Sequence, residues 1–363
     1  MKKDNRSAVL LLFGGRGFEH SVSVEGAKFL FPKIDTEKNL PIPVYINRLG
    51  EWLTVRDPIG YSRRHKDNSL PDTSKFNTRV YPYPRKGGIG GAITVGKREL
   101  PIALAIPLLH GDHGEDGEIQ GALETALIPY VGSDVSAGAL SADKAYTKII
   151  AEYLGIPTAP FRLAIADGVI FDNEELLFEC EESFGYPMFV KPARLGSSVG
   201  AASVNCRDEL RGAIASIISL GQSRILIEKQ IKLSRELECA YLALDGDLLI
   251  SEPGEIRVDG GFYDYETKYL SDTASVREVS ELPPEKAERL RAYTERLAEY
   301  LGIRELSRFD FFEDADGNII FNEVNTFPGF TESSLYPRLV RLMGISAREL
   351  VNRLISERTE QGK

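Results

Sequence analysis

The chain has 363 residues, 42% of them hydrophobic and 27% charged, a globular composition on a length that predicts two or three domains. Its 44 Lys and Arg stand against 54 Asp and Glu, and the net charge of −10 excludes the electrostatic footprint of a general nucleic-acid binder. Its three cysteines form no CxxC pair, its basic start precedes an apolar run too short for a secretory leader, and no stretch nears the ~20 apolar residues of a membrane span; a reduced, cytoplasmic setting is expected.

Residues 8–13 are apolar on both faces, as in a buried parallel strand. They run into Gly14-Gly15-Arg16-Gly17-Phe18-Glu19-His20 and a helix expected from Ser23. Strand, glycine turn and helix suit an anion, but the dinucleotide pattern GxGxxG is not met. Glu19 reads either as a carboxylate satisfying the helix dipole or as a ligand group facing the crevice.

Residues 54–100, rich in Pro, Gly, Tyr and charge, read as a loop-rich insertion with a hairpin over 87–98. Within it, GAITVGKR nearly matches the phosphate loop GxxxxGK[ST], yet Arg98 stands where a hydroxyl is required and no helix follows. Residues 102–109 form another buried strand that delivers His110 and the acid-rich run to Glu118 at the head of a helix through Glu124. The His–acid spacing matches no common zinc motif, so substrate positioning or bracing of the domains is expected. A short strand over 128–131 closes this unit.

A helix is predicted over 141–154, with Ile149, Ile150, Tyr153 and Leu154 inward and Lys144 in its first turn, where a cation opposes the dipole. A strand bearing Lys191 then leads into Gly196-Ser197-Ser198-Val199-Gly200, whose amides and hydroxyls suit a phosphate cradle. Residues 224–229 form a strand ending in Glu228 and Lys229, readable as base and ribose contacts or as a solvated edge; the next strand carries Glu236 and Glu238. Residues 260–273 are long for a connector and read as a lid, with Lys268 and Tyr269 near its end. A structural helix over 284–300 follows, and another over 347–355 ends the chain.

Between them, residues 308–312 and 318–324 flank EDADG and predict a hairpin. Strand alternation puts Arg308 with Asp310 and Glu323 with Asn325, so folding brings together oxygen donors suited to Mg2+. The following Asn-Thr-Phe-Pro-Gly run and serine pair read as a shaped loop. A glycine–serine loop, two lysines, an acidic hairpin and a lid together suggest ATP-dependent phosphoryl transfer without a Walker motif.

The set LHGDHGEDGEIQG, VKPARLGSSVG, KYLSD and RFDFF with FNEVNTFPGFTESS resembles the D-alanine–D-alanine ligases of the ATP-grasp superfamily, over nearly the whole chain. The resemblance implies an α/β fold of three domains: a substrate-binding Rossmann-like parallel sheet over 1–138, then ATP-gripping lobes over 139–231 and 232–363. It implies that ATP activates one D-alanine as an acyl phosphate, which a second attacks to give D-alanyl-D-alanine for peptidoglycan. Lys144, Lys191 and Ser198 would hold phosphates, Glu228, Lys229 and Ile231 the adenine, and Glu236 the ribose. Asp310, Glu323 and Asn325 would bind two Mg2+ ions, with Mn2+ a substitute. Arg308 and the Gly329 backbone would stabilise the tetrahedral oxyanion. Glu19 would bind the first substrate's ammonium near His110; Ser334 and Leu335 would hold the second carboxylate.

Glu19, Ser197 and Tyr269 would form a hydrogen-bonded set, and Lys268-Tyr269 would favour an amine over a hydroxyl nucleophile. The resemblance also implies a homodimer with small-molecule partners. Two features depart from the family pattern: the long 54–100 segment, and Leu195 where a polar residue is common. A D-serine or D-lactate ligase, and a regulator that binds nucleotide without catalysis, are the rival readings; the intact set of Arg308, Asp310, Glu323 and Asn325 speaks against the last.

Overall fold

A computed structural model of the chain describes residues 6–64, 69–167, 171–258, 274–277 and 279–361. The strand Ser7–Gly14 lies inside a five-stranded sheet, parallel to Asn39–Ile46 on one side and Leu104–Leu108 on the other; Trp52–Thr54 and Thr78–Arg79 extend it antiparallel. Its apolar run does not alternate because each face meets a different core. Val9, Leu11 and Phe13 pack into one cluster, Leu10 and Leu12 into another.

Gly14 ends the strand at φ +96°, where an added Cβ would lie 2.2 Å from the Ile46 carbonyl oxygen. The Ser23 hydroxyl accepts the Gly14 N–H and donates to the Leu108 carbonyl. It therefore ties two strand ends together, and the helix starts earlier than expected, spanning His20–Leu30.

The insertion is more ordered than its composition suggested. It contains the helix Pro58–Arg64 and a three-stranded sheet of Pro82–Pro84, Gly91–Val95 and Arg98–Pro101. The hairpin lies a few residues beyond the expected 87–98, because Gly87, Gly88 and Gly90 all take positive φ and form the loop before it. The rejected phosphate-loop lookalike is this hairpin, with Gly96-Lys97 as its two-residue turn. The strand expected over 128–131 reduces to a single bridge between Tyr130 and Ala105.

The single helix predicted over 141–154 is two, Val135–Ala142 and Lys144–Tyr153. Asp143 breaks it by taking extended φ/ψ and accepting the Ala145 N–H as an N-cap. The buried face also differs: Ala145, Thr147, Lys148 and Ala151 point inward, while Ile149 and Tyr153 are exposed. Met188–Pro192 and Arg224–Lys229 pair antiparallel within a four-stranded sheet that Phe161–Ile165 and Ala202–Val204 complete.

The third large sheet centres on Leu233–Leu244 and Leu306–Asp314, and Ile319–Asn325 folds back to form the predicted hairpin. The helix Pro284–Leu301 covers it, burying Ala287, Leu290, Leu297 and Leu301 as their spacing requires. The closing helices Leu335–Leu342 and Ala347–Gln361 cross back to the first sheet, so Leu339, Leu350 and Leu354 share a core with Val9, Leu11 and Phe13. Glu305 fastens this junction, accepting the Gly132 N–H at 2.8 Å and pairing with Arg358.

Gly14→Ala is expected to destabilise the chain by roughly 2–3 kcal/mol, through backbone strain and the clash with Ile46, read from the urea midpoint. Burial raises the Glu305 carboxyl from 4.5 to about 7, against the pull of Arg358 and the Gly132 N–H. Between those two pH values the unfolded chain loses this proton before the folded one, so stability falls as pH rises and then levels off. Glu305→Gln should flatten that part of the stability–pH curve, whatever constant offset the lost Arg358 pair adds.

Candidate active site

The Ser197 turn, the first helix and the acidic hairpin come from three separate parts of the chain and meet. Ser197 and Ser198 both adopt positive φ, +52° and +58°, which turns the loop after the Lys191 strand sharply. From that turn the Ser197 hydroxyl donates to Glu19 Oε1 at 2.7 Å. Glu19 occupies the N-cap position of the first helix but caps nothing with its side chain. Its carboxylate reaches across to the loop instead.

Between the second and third sheets lies a cleft of about 1130 Å3. Lys144, Lys191, Ser197 and Ser198 line the side formed by the Ser197 turn. Glu228, Lys229, Ile231 and Glu236 line the strand side, and Glu323 projects from the hairpin. Lys144 bridges two walls: its ammonium donates to the Leu195 carbonyl at 2.8 Å and pairs with Glu323 at 3.2 Å. The Leu195 side chain is itself buried, so the departure from a polar residue leaves a packed loop whose backbone oxygen is used.

Lys191 sits 3.1 Å from both Glu228 Oε2 and Asn322 Oδ1. Burial lowers its pKa, with Glu228 acting in the opposite direction. Glu228 is buried, not a solvated edge. Desolvation disfavours its charge, but Lys148 and Lys191 outweigh that and hold it below the ordinary glutamate range. Lys229, next in sequence, is exposed.

On the hairpin, Arg308 faces Asn325 and Asp310 faces Glu323 in register. Arg308 grips Asp310 through two bonds of 2.7 Å and lies 3.2 Å from Glu238 on the neighbouring strand. Asn325 donates to the same Asp310 carboxylate at 3.1 Å. Asp310, Glu323 and Asn325 thus form a compact set of hard oxygen donors on two paired strands, a set that fits a divalent cation. Arg308 and Lys144 balance the two carboxylates.

His110 is buried and accepts no proton readily: desolvation lowers its pKa, and Nδ1 donates to the Phe327 carbonyl at 3.0 Å, leaving Nε2 without a hydrogen-bond partner among the described residues. Glu115, from the same acid-rich run, accepts the Gly111 and Phe327 N–H groups at 2.9 and 2.8 Å. The run therefore braces the loop that follows the hairpin, as one of the two sequence readings held. Desolvation pushes the Glu115 carboxyl up to about 8.

In the loop after the hairpin, Gly329 lies where an added Cβ would sit 3.0 Å from Ser334 Oγ. The Ser334 hydroxyl accepts the Thr331 N–H, and Ser334 is the N-cap of the helix that Leu335 opens. The Leu335 side chain is packed in the core, so its backbone N–H is the group it can offer a ligand. Lys268 and Tyr269 lie outside the described residues.

Four groups carry no individual role in the sequence reading: Glu115, within the acid-rich run, Glu238, named only on its strand, and Lys148 and Asn322. Glu238 and Asn322 sit at strand positions where alternation with Asp310 and Glu323 says little about which cation crosses over. Lys148 is four residues after Lys144, a spacing that puts the two on one helical face.

The comparisons with known proteins agree along the chain. Residues 8–133 match the family described as D-ala D-ala ligase N-terminus, and residues 150–356 match D-ala D-ala ligase C-terminus. The chain is 39% identical over 357 residues to the D-alanine–D-alanine ligase of Pelodictyon phaeoclathratiforme, covering 96% of this chain and 97% of that one. It is 36% identical over 359 residues to that of Caldicellulosiruptor bescii, covering 98% and 96%.

Among solved structures, D-alanyl-alanine synthetase A from Vibrio cholerae is similar with a TM-score of 0.83 and 29% identity, over 99% of this chain and 100% of that one. The VanG D-Ala:D-Ser ligase from Enterococcus faecalis is similar with a TM-score of 0.80 and 30% identity, over 97% and 99%. The mixed α/β architecture is that of the ATP-grasp ligases. With both halves matched and relatives this similar over their full lengths, the chain belongs to the D-alanine–D-alanine ligase family and is an ATP-dependent ligase.

Proposed function

We propose that the chain joins two D-alanine molecules into D-alanyl-D-alanine. A carboxylate oxygen of the first attacks the γ-phosphorus of ATP and ADP leaves; the amine of the second then attacks the acyl carbon and phosphate leaves. The observation that carries this reading is the meeting, at one cleft, of the Ser197 turn with Glu19 and of Lys144 with Glu323. Boundaries at 138 and 231 would give each large sheet its own unit. A cytoplasmic homodimer is the setting the same reading carries; among the described residues no helix is long and apolar enough to cross a membrane.

Lys144, Lys191 and Ser198 would face the phosphates, and Glu236 the ribose. Lys229 and Ile231 would meet the adenine; the Glu228 carboxylate is already turned to two lysines, so its contribution there runs through the backbone and through Lys191. Two Mg2+ ions, or Mn2+ in their place, held by Asp310, Glu323 and Asn325 would neutralise charge on the transferred phosphoryl group.

Arg308 and the Gly329 N–H would stabilise the tetrahedral oxyanion from fixed positions, so little reorganisation is needed as charge develops. Glu19, oriented by Ser197, would hold the ammonium of the first D-alanine beside neutral His110. The Ser334 hydroxyl and Leu335 N–H would fix the second carboxylate at a helix start. Lys268 and Tyr269 would act from the lid, excluding water from the acyl phosphate.

The likeness to the VanG D-Ala:D-Ser ligase makes D-serine the rival second substrate. D-Alanine alone with ATP should yield dipeptide and one phosphate per turnover; product only when D-serine or D-lactate is added would overturn the assignment. Arg308→Ala should lower turnover by about 100- to 1,000-fold while ADP affinity, read by calorimetry, stays within a few-fold. Unchanged turnover would remove Arg308 from the oxyanion site.

A further inference from the structure

Lys148 has no part in the roles above and cannot touch a ligand. Its side chain is 1% exposed, and it lies behind the cleft wall instead of lining it. A buried ammonium is strongly disfavoured unless an opposite charge answers it. Here the answer is Glu228, whose Oε1 lies 2.9 Å from Lys148 Nζ. The Ala159 carbonyl at 3.5 Å and the Phe161 ring at 5.6 Å complete the surroundings.

Glu228 is shared. Its other oxygen, Oε2, lies 3.1 Å from Lys191 Nζ, and Lys191 does line the cleft. Two buried ammonium groups on one carboxylate sum to a net charge of +1. Without Lys148 the sum is zero, and the whole Glu228 charge falls on Lys191. The helix geometry fits this division: Lys144 and Lys148 are four residues apart on one face, the first reaching the cleft and the second the carboxylate beneath it.

We propose that Lys148 is a positioning residue which, by taking half of the Glu228 carboxylate, leaves Lys191 a surplus positive charge directed at the phosphates of a bound nucleotide. The inference rests on the nucleotide reading of the cleft. It makes the effect of Lys148 proportional to ligand charge: phosphates feel it, and a nucleoside does not.

The test is calorimetric titration of ADP and of adenosine into the full-length wild type and into Lys148→Met, Lys148→Gln and Lys148→Arg, each checked for a native circular-dichroism spectrum. Removing one nearby unit charge should weaken ADP about ten-fold or more in the Met and Gln variants. Adenosine should stay within about two-fold, and Lys148→Arg should hold ADP within about three-fold of wild type. Two neutral variants of different shape keep the test readable if one of them does not fold. ADP affinity unchanged in the neutral variants, or ADP and adenosine weakened equally, would overturn the role of Lys148. A wild type that binds no ADP would instead overturn the nucleotide reading.

Discussion

The structure depends on keeping charges paired where water is scarce. Lys191, Glu228, Asp310 and Glu238 are each less than a tenth exposed, and Arg308 is little more open. Leaving any of them unpaired would be costly. The chain answers by crossing charges between elements: helix lysines to hairpin and strand carboxylates, a hairpin arginine to its own strand and the next one. These crossings orient the side chains of the proposed site, and they fix the second sheet against the third.

The same pairing explains how distant segments come to share one site. The Lys144–Tyr153 helix contributes a cation to the cleft and another behind it, since four residues make about one helical turn. The Ser197 turn reaches back to Glu19 on the first sheet's helix, and the acid-rich run after Leu108 reaches forward to Phe327. Glu305 and the closing helices then join the C-terminal part to the first sheet through one continuous core. The cleft takes its walls from the Lys144 helix, the Ser197 turn and the hairpin, so its shape depends on their relative placement, which suits an enzyme that must shield a hydrolysable intermediate.

Much of this was legible in the sequence where geometry is local. Alternation along a strand sufficed to put Arg308 with Asp310 and Glu323 with Asn325, and the Gly-Ser run announced a sharp loop. Hydrophobicity misled where the partner was distant. Ile149 and Tyr153 read as inward, yet the buried face carries Thr147 and Lys148, because Glu228 on a strand some 80 residues on supplies the counter-charge. Asp143 read as helix interior although it is an N-cap, a competition that depends on its neighbours' packing. The insertion's glycines read as hairpin, yet they form the loop before it. The relatives bear out the family that the motif set resembles.

One measurement bears most directly on the convergence of these segments: a crystal structure of the chain with ADP, Mg2+ and D-alanine. The account predicts the diphosphate between Lys144, Lys191 and the Ser197–Ser198 turn, with metal density about 2.0–2.1 Å from oxygens of Asp310, Glu323 and Asn325. Nucleotide density away from the Ser197 turn, or metal bound on other oxygens, would contradict it.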